Sequence, residues 1–113
     1  MKVDIEQQSE ITMVRLNEKS LDSSNAPEFK TQLLQLISDG ATRLVINLGS
    51  IKRIDSSGMG ALLFGQRQAN NKSGWVKLAK VPKSVDQLLK VAMLDRVFQI
   101  YKSEEEAIAA GLN

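Results

Sequence analysis

Two short polar clusters hold the groups in this sequence that could do chemistry. Asp55-Ser56-Ser57-Gly58 ends a basic, strand-like approach, Ile51-Lys52-Arg53-Ile54, and an apolar stretch with helical spacing follows at once. Asp22-Ser23-Ser24-Asn25 stands before a second stretch of that kind. Each cluster puts hydroxyls and a carboxylate at the mouth of a helix, where Ser, Asp and Asn satisfy free N–H groups and stabilise by about 1 kcal/mol over alanine. The same place tolerates a phosphate on a serine, because free backbone donors and the positive end of the dipole meet there. Open α/β sheets also gather ligands where a strand ends and a helix begins. If both helices start at one end of a sheet, Asp22 and Asp55 come close together. They would then form an acidic, partner-facing rim or, in a carboxylate-dependent enzyme, an acid–base or Mg²⁺ pair.

Composition narrows these choices. The 113 residues include no cysteine and no histidine, so thiolate nucleophiles, imidazole bases and the usual zinc and copper ligands are absent. A serine hydrolase would need a base beside its serine, and no lysine is obviously placed to serve. Gly58, Gly60 and Gly65 do not match G-x-G-x-x-G, and no G-x-x-x-x-G-K-[S/T] phosphate loop occurs. No cofactor or metal site is therefore expected. The net charge of +2 is spread along the chain, and the aromatics, 4% of residues, are not interleaved with the basic groups, which argues against direct nucleic-acid binding. No apolar run is long enough for a bilayer, and Met1-Lys2-Val3-Asp4-Ile5-Glu6 does not resemble a secretion signal. A cysteine-free chain fits a reducing compartment, so the cytoplasm is expected, with one domain over residues 1–113.

The elements that must position the clusters follow from apolar spacing. Residues 3–8 and 10–16 alternate as an antiparallel strand pair. A helix then begins near Pro27, capped by Ser24 or Asn25, with Phe29, Leu33, Leu36 and Ile37 on its core face, and Asp39-Gly40 ends it. Residues 43–49 form a continuously apolar strand, the kind buried on both faces. Ser57 to about Asn70 is helical, with Met59, Leu62, Leu63 and Ala69 available for burial. A strand over 75–81 leads to a helix opened by Pro82, whose core face is Val85, Leu88, Leu89 and Ala92. A last strand covers 97–101, Ser103 and Glu106 make a capping box, and Glu104-Glu105-Glu106 is a solvated first turn. The order is β-β-α-β-α-β-α-β-α, an α/β fold with one mixed, mostly parallel sheet and about four helices. Of Met59, Leu63, Phe64 and Arg67, most should be core, with one or two left exposed near the serines as a docking patch.

Taken together, "LDSSNAPEFKTQL", "RLVINLGSIKRIDSSGMGALL" and "VPKSVDQLLKVAMLDRVFQIYKSEEEAIAA" resemble the STAS domain of bacterial anti-sigma-factor antagonists over nearly the whole chain. The D-S-S-G element alone is moderately specific; its place after a buried strand strengthens the match. The resemblance implies a regulatory protein and no enzyme. An ATP-binding anti-sigma-factor serine kinase would phosphorylate Ser57, the serine before the glycine. The unphosphorylated protein would bind that kinase and free a sigma factor, and a PP2C-type phosphatase would reset the switch. Asp22 matches the family's acidic residue near the acceptor, with Ser23 beside it, and Asp55, Ser56, Gly58 and Met59 occupy the phosphoacceptor loop and helix start. Met59 stands where leucine is commoner, and Lys52 and Arg53 make the approach unusually basic. Weak homodimer formation is left open. The alternative is a constitutive STAS adaptor of a transporter or signalling complex, with Ser57 only a helix cap. A third reading, the small carboxylate-dependent enzyme, would use Asp22 and Asp55.

Overall fold

A hairpin opens the chain: β1 (Val3–Gln8) runs antiparallel to β2 (Ile11–Leu16), and Ser9, at φ 60, turns the corner. The computed structural model describes residues 1–112. After β2 come a two-residue strand β3 (Ser20–Leu21), helix α1 (Ala26–Ser38) and strand β4 (Arg43–Asn47). A second two-residue strand, β5 (Arg53–Ile54), leads into α2 (Ser56–Asn71) and β6 (Trp75–Ala79). The chain ends with α3 (Lys83–Val91), a 3₁₀ turn at Leu94–Arg96, β7 (Ile100–Tyr101) and α4 (Glu104–Gly111).

β1, β2, β4, β6 and β7 form one five-stranded sheet in that order, and every pairing after the first is parallel. Residue alternation decides which face each side chain serves. Val14, Leu16, Leu44, Ile46, Val76 and Leu78 join the main core with Phe29, Leu33, Leu62, Ala69, Val85 and Leu89 of α1, α2 and α3. Ile11, Met13, Val45 and Ala79 face the other way and pack with Ala107 of α4. β4 is thus buried on both faces, as its unbroken apolar run predicts. Gln66 fixes α2 to the sheet: its Oε1 accepts from the Val76 N–H at 2.7 Å, and its Nε2 donates to the Val76 and Val97 carbonyls at 3.0 Å. Among the described residues no helix is long and apolar enough to cross a membrane.

The expected order and the mixed, mostly parallel sheet with four helices are present, and several details differ. β3 and β5 add a separate two-stranded parallel ribbon. The last strand is confined to Ile100–Tyr101, because residues 94–96 coil into a 3₁₀ turn. Leu88 is 42% exposed and Ala92 is exposed, so the core face of α3 is narrower than its spacing suggests. Asn25 occupies the N-cap position of α1, but its side chain does not cap it; Oδ1 accepts instead from the Asp22 N–H at 2.9 Å, and Nδ2 donates to the Ser20 carbonyl at 2.8 Å. Gly40 ends α1 at φ 106, a conformation that costs glycine little. Glu104 is not a solvated side chain. Arg15 of β2 grips it through two hydrogen bonds of 2.8 and 2.9 Å, and Asn47 of β4 donates to it at 2.5 Å, which clamps the start of α4 on the sheet.

Candidate functional site

The ribbon explains why the two polar clusters meet. Ser20 pairs with Arg53 and Leu21 with Ile54, in parallel. Each strand of the ribbon then runs straight into a helix, β3 by way of the Asp22 loop into α1 and β5 by way of Asp55 into α2. Two helix N-termini therefore begin side by side. The Asp55 N–H donates to the Leu21 carbonyl at 3.3 Å, tying one loop to the other strand. At Gly58 the approach is closer still, because a Cβ there would fall 2.2 Å from the same carbonyl oxygen.

Asp55 is the N-cap of α2. Its Oδ1 accepts from the Gly58 N–H at 3.0 Å, and its Oδ2 accepts from the Ser23 N–H at 3.3 Å. One carboxylate thus satisfies a free donor of its own helix and joins the loop of the other. Asp22 is tied locally instead. Its Oδ1 accepts from the Ser24 N–H at 2.9 Å and the Ser24 hydroxyl at 2.5 Å, and its Oδ2 accepts from the Ser20 hydroxyl at 3.0 Å. The Ser24 hydroxyl and N–H, then the Ser20 hydroxyl, hold the Asp22 carboxyl below the usual carboxylate range, with a further contribution from the charge of Arg53. The two aspartates are near one another, as the sequence suggests, but each is committed to loop donors. Among the described residues no cluster of three or more His, Cys, Asp or Glu could hold a metal ion.

Ser56 and Ser57 take the first two positions of α2 and neither is its cap. Ser56 is exposed and Ser57 half-buried, and neither hydroxyl bonds to another described residue. Ser57 opens onto a cleft of about 340 Å³ between the starts of α1 and α2, lined also by Ser23, Pro27, Lys30, Ser56 and Gly60. Ser23 is exposed, and Gly58 is buried against β3. Met59 is half-buried and packs against the main core, so it shapes the helix start more than it offers a free apolar surface. Across Asp55 a second depression, about 500 Å³, is lined by Asp22, Lys52, Arg53, Ser84 and the exposed Leu88. Leu63 and Phe64 are half-buried and Arg67 is exposed.

All the site residues expected from the sequence are thus gathered at one end of the fold. Ala26, Pro27, Lys30 and Gly60 also line the cleft without having been expected there, since only the packing of α1 beside α2 brings residues of α1 to the serines.

The sequence model of the STAS domain family matches residues 2–107. The chain is similar to the anti-sigma F factor antagonist of Paenibacillus polymyxa, 26% identical over 109 residues that cover 96% of this chain and 92% of that one. Its fold superposes on that of tm1081 from Thermotoga maritima with a TM-score of 0.93 at 21% identity, covering 98% of this chain and 95% of the other. SpoIIAA, an anti-sigma factor antagonist solved in its unphosphorylated form, superposes with a TM-score of 0.81 at 25% identity, covering 95% and 93% of the two chains. The phosphorylated form of SpoIIAA, a Bacillus cell fate determinant, superposes with a TM-score of 0.75 at 23% identity, covering 96% of this chain and 98% of the other.

Proposed function

The chain belongs to the STAS domain family, and from that premise we propose that it is an anti-sigma-factor antagonist switched by phosphate on Ser57. In the cytoplasm the unphosphorylated protein binds an ATP-binding anti-sigma-factor serine kinase through the Asp22–Asp55 rim, and the kinase gives up its sigma factor. The kinase transfers the γ-phosphoryl group of ATP to the Ser57 oxygen, the hydroxyl proton leaves, and ADP is released. Phosphate on Ser57 ends binding, and a PP2C-type phosphatase uses water to return serine and inorganic phosphate.

The observation that carries this reading is the state of the Ser57 hydroxyl, which reaches a cleft and bonds to no other described residue, while Asp55 alone caps the helix. Modification would therefore break no cap. Phosphate brings about −1.5 to −2 charges to the site. The helix start tolerates them through its dipole, whereas a partner surface fitted to a neutral hydroxyl does not. Asp22 and Asp55 stand beside it and deepen the repulsion. Each 1.4 kcal/mol lost at the contact weakens affinity about tenfold, so a few suffice for a switch. The cap role that the adaptor alternative gives to Ser57 belongs to Asp55, which leaves the Ser57 hydroxyl without a structural task.

The test mixes the protein with the anti-sigma kinase encoded beside it and Mg-ATP, then locates phosphate by mass. Transfer is expected to Ser57 and to survive Ser56→Ala, while Ser57→Ala blocks it and stays in the kinase-binding form. Ser57→Asp is expected to lose kinase binding. Absence of modification, together with undiminished binding by Ser57→Asp, would sink the switch.

A further inference from the structure

The cleft that holds Ser57 is closed on its α1 side by a cation that the switch does not use. Lys30 follows Pro27 by three residues on α1, and both line the cleft. Its ammonium lies 5.7 Å from the centroid of the Phe64 ring. That is near the outer limit of about 6 Å for a cation over an aromatic face. Ser57, Gly60 and Phe64 follow one another at i, i+3 and i+7, so they share one face of α2. Lys30 therefore lies along the face that begins with the serine. Among the described residues the cations in ion pairs are the Met1 amino group, Arg15, Arg43 and Lys90, and Lys30 is not among them.

Gly60 adds a second, independent observation. A Cβ at Gly60 would meet nothing within 4 Å, so no packing contact requires glycine there. Glycine is nevertheless the poorest helix former after proline, and this one stands in the first turns of α2. Gly60 lines the cleft together with Ser57 and Lys30, and its missing side chain leaves room there.

We propose that Lys30 is the counter-ion of a phosphate on Ser57, an inference that rests on Ser57 being the acceptor. The ammonium leaves the Phe64 ring and closes on the phosphate over Gly60, so the modified serine folds into the cleft instead of standing out from the surface. The exchange favours phosphate, because a dianion with three acceptor oxygens binds an ammonium more strongly than a phenyl face does. Lys30 is then a positioning residue of the phosphorylated state. Other charges at this end of the fold are Asp55 at the cap of α2 and, in the depression across Asp55, Asp22, Lys52 and Arg53. The two aspartates oppose ionisation of the phosphate, and Lys30 and Arg53 favour it.

The experiment installs phosphoserine at position 57 by genetic encoding, so that no kinase is needed, and follows its ³¹P resonance from about pH 4 to about pH 8 around its second ionisation. Lys30→Gln is expected to raise that pKa by roughly half to one pH unit. Lys30→Arg should return it close to the wild-type value, and Lys83→Gln should leave it unmoved. Equal values in the wild-type and Lys30→Gln chains would overturn the assignment. So would an equal rise in Lys83→Gln, which would reduce the effect to net charge. The two readings fail separately: a kinase that ignores Ser57 removes the switch, whereas the titration reads the Lys30 contact whatever the kinase does.

Discussion

Gly58 touches the backbone of Leu21 so closely that a Cβ on it would lie 2.2 Å from the Leu21 carbonyl oxygen and 2.8 Å from Ile54 Cγ1. The start of α2 is therefore laid directly on the ribbon, and the Asp55-Ser56-Ser57 loop cannot shift without moving β3. Backbone yields less readily than the end of a side chain, so Gly58→Ala should force the helix start outward, at a cost of about 1–3 kcal/mol. Urea denaturation would read this as a lower midpoint at unchanged slope. Gly60→Ala makes the opposite prediction, a gain of up to about 1 kcal/mol, since the space there is open and alanine is the better helix former. Equal losses in the two variants would mean that the contact between α2 and β3 is not what requires glycine at position 58.

Asp55 joins the two loops through a single carboxylate. Asp55→Ala removes the acceptor of both the Gly58 and the Ser23 N–H, and a lost N-cap costs about 0.5–2 kcal/mol. Asp55→Asn keeps one oxygen and should retain most of the cap. Amide hydrogen exchange separates the two functions of the carboxylate. In Asp55→Ala, exchange should quicken at both Gly58 and Ser23; quickening at Gly58 alone would show that the 3.3 Å contact to Ser23 holds nothing in place.

Ser57 should behave differently from Asp55 in the same stability assay. Its hydroxyl makes no hydrogen bond to a described residue and sits at the second position of the helix, not at the cap. Ser57→Ala is expected to change stability by less than about 0.5 kcal/mol, the range of substitutions that break no named interaction. A loss as large as that of Asp55→Ala would restore the hydroxyl to a capping role and weaken its claim to be a free acceptor.

The sequence announces the frame of this site and withholds its hinge. β4 and α2 are legible because Leu44, Val45 and Ile46 run unbroken and because Leu62 and Ala69 recur at helical spacing. Asp55-Ser56-Ser57-Gly58 is legible as a helix mouth by residue type alone. β3 and β5 are not, since two residues carry no period and their pairing is wholly tertiary. That ribbon sets Asp22 beside Asp55, so their proximity could be stated only as a condition. Asn25 shows the opposite difficulty: residue type points to a side-chain cap, yet its Oδ1 accepts from the Asp22 N–H of its own loop instead of from the helix. Glu104 misleads for the same reason. Three successive acidic residues look solvated, but one of them faces an arginine 89 positions away.

The Arg15–Glu104 clamp has a consequence that depends on pH. The hydrogen bonds from Arg15, and then that from Asn47, hold the Glu104 carboxyl below its ordinary value of 4.5, against the opposing effect of burial. A carboxyl whose folded pKa is depressed binds fewer protons in the native state than in the unfolded one. Its contribution to stability is complete above 4.5 and is lost as pH falls through the folded value. Charge-assisted hydrogen bonds of this kind contribute about 1.5–3 kcal/mol, and side-chain exposures of 25% for Arg15 and 14% for Glu104 shield the pair from much of the solvent screening. Glu104→Gln should therefore destabilise by about that amount at neutral pH. On acidification the wild-type curve should drop towards the variant's, because protonated Glu104 and glutamine then present similar neutral groups to Arg15. Urea midpoints of both chains, measured through the acid limb, check this directly. Parallel curves, with a constant gap at every pH, would show that the carboxyl keeps no depressed pKa and that α4 is held on the sheet by its apolar contacts alone.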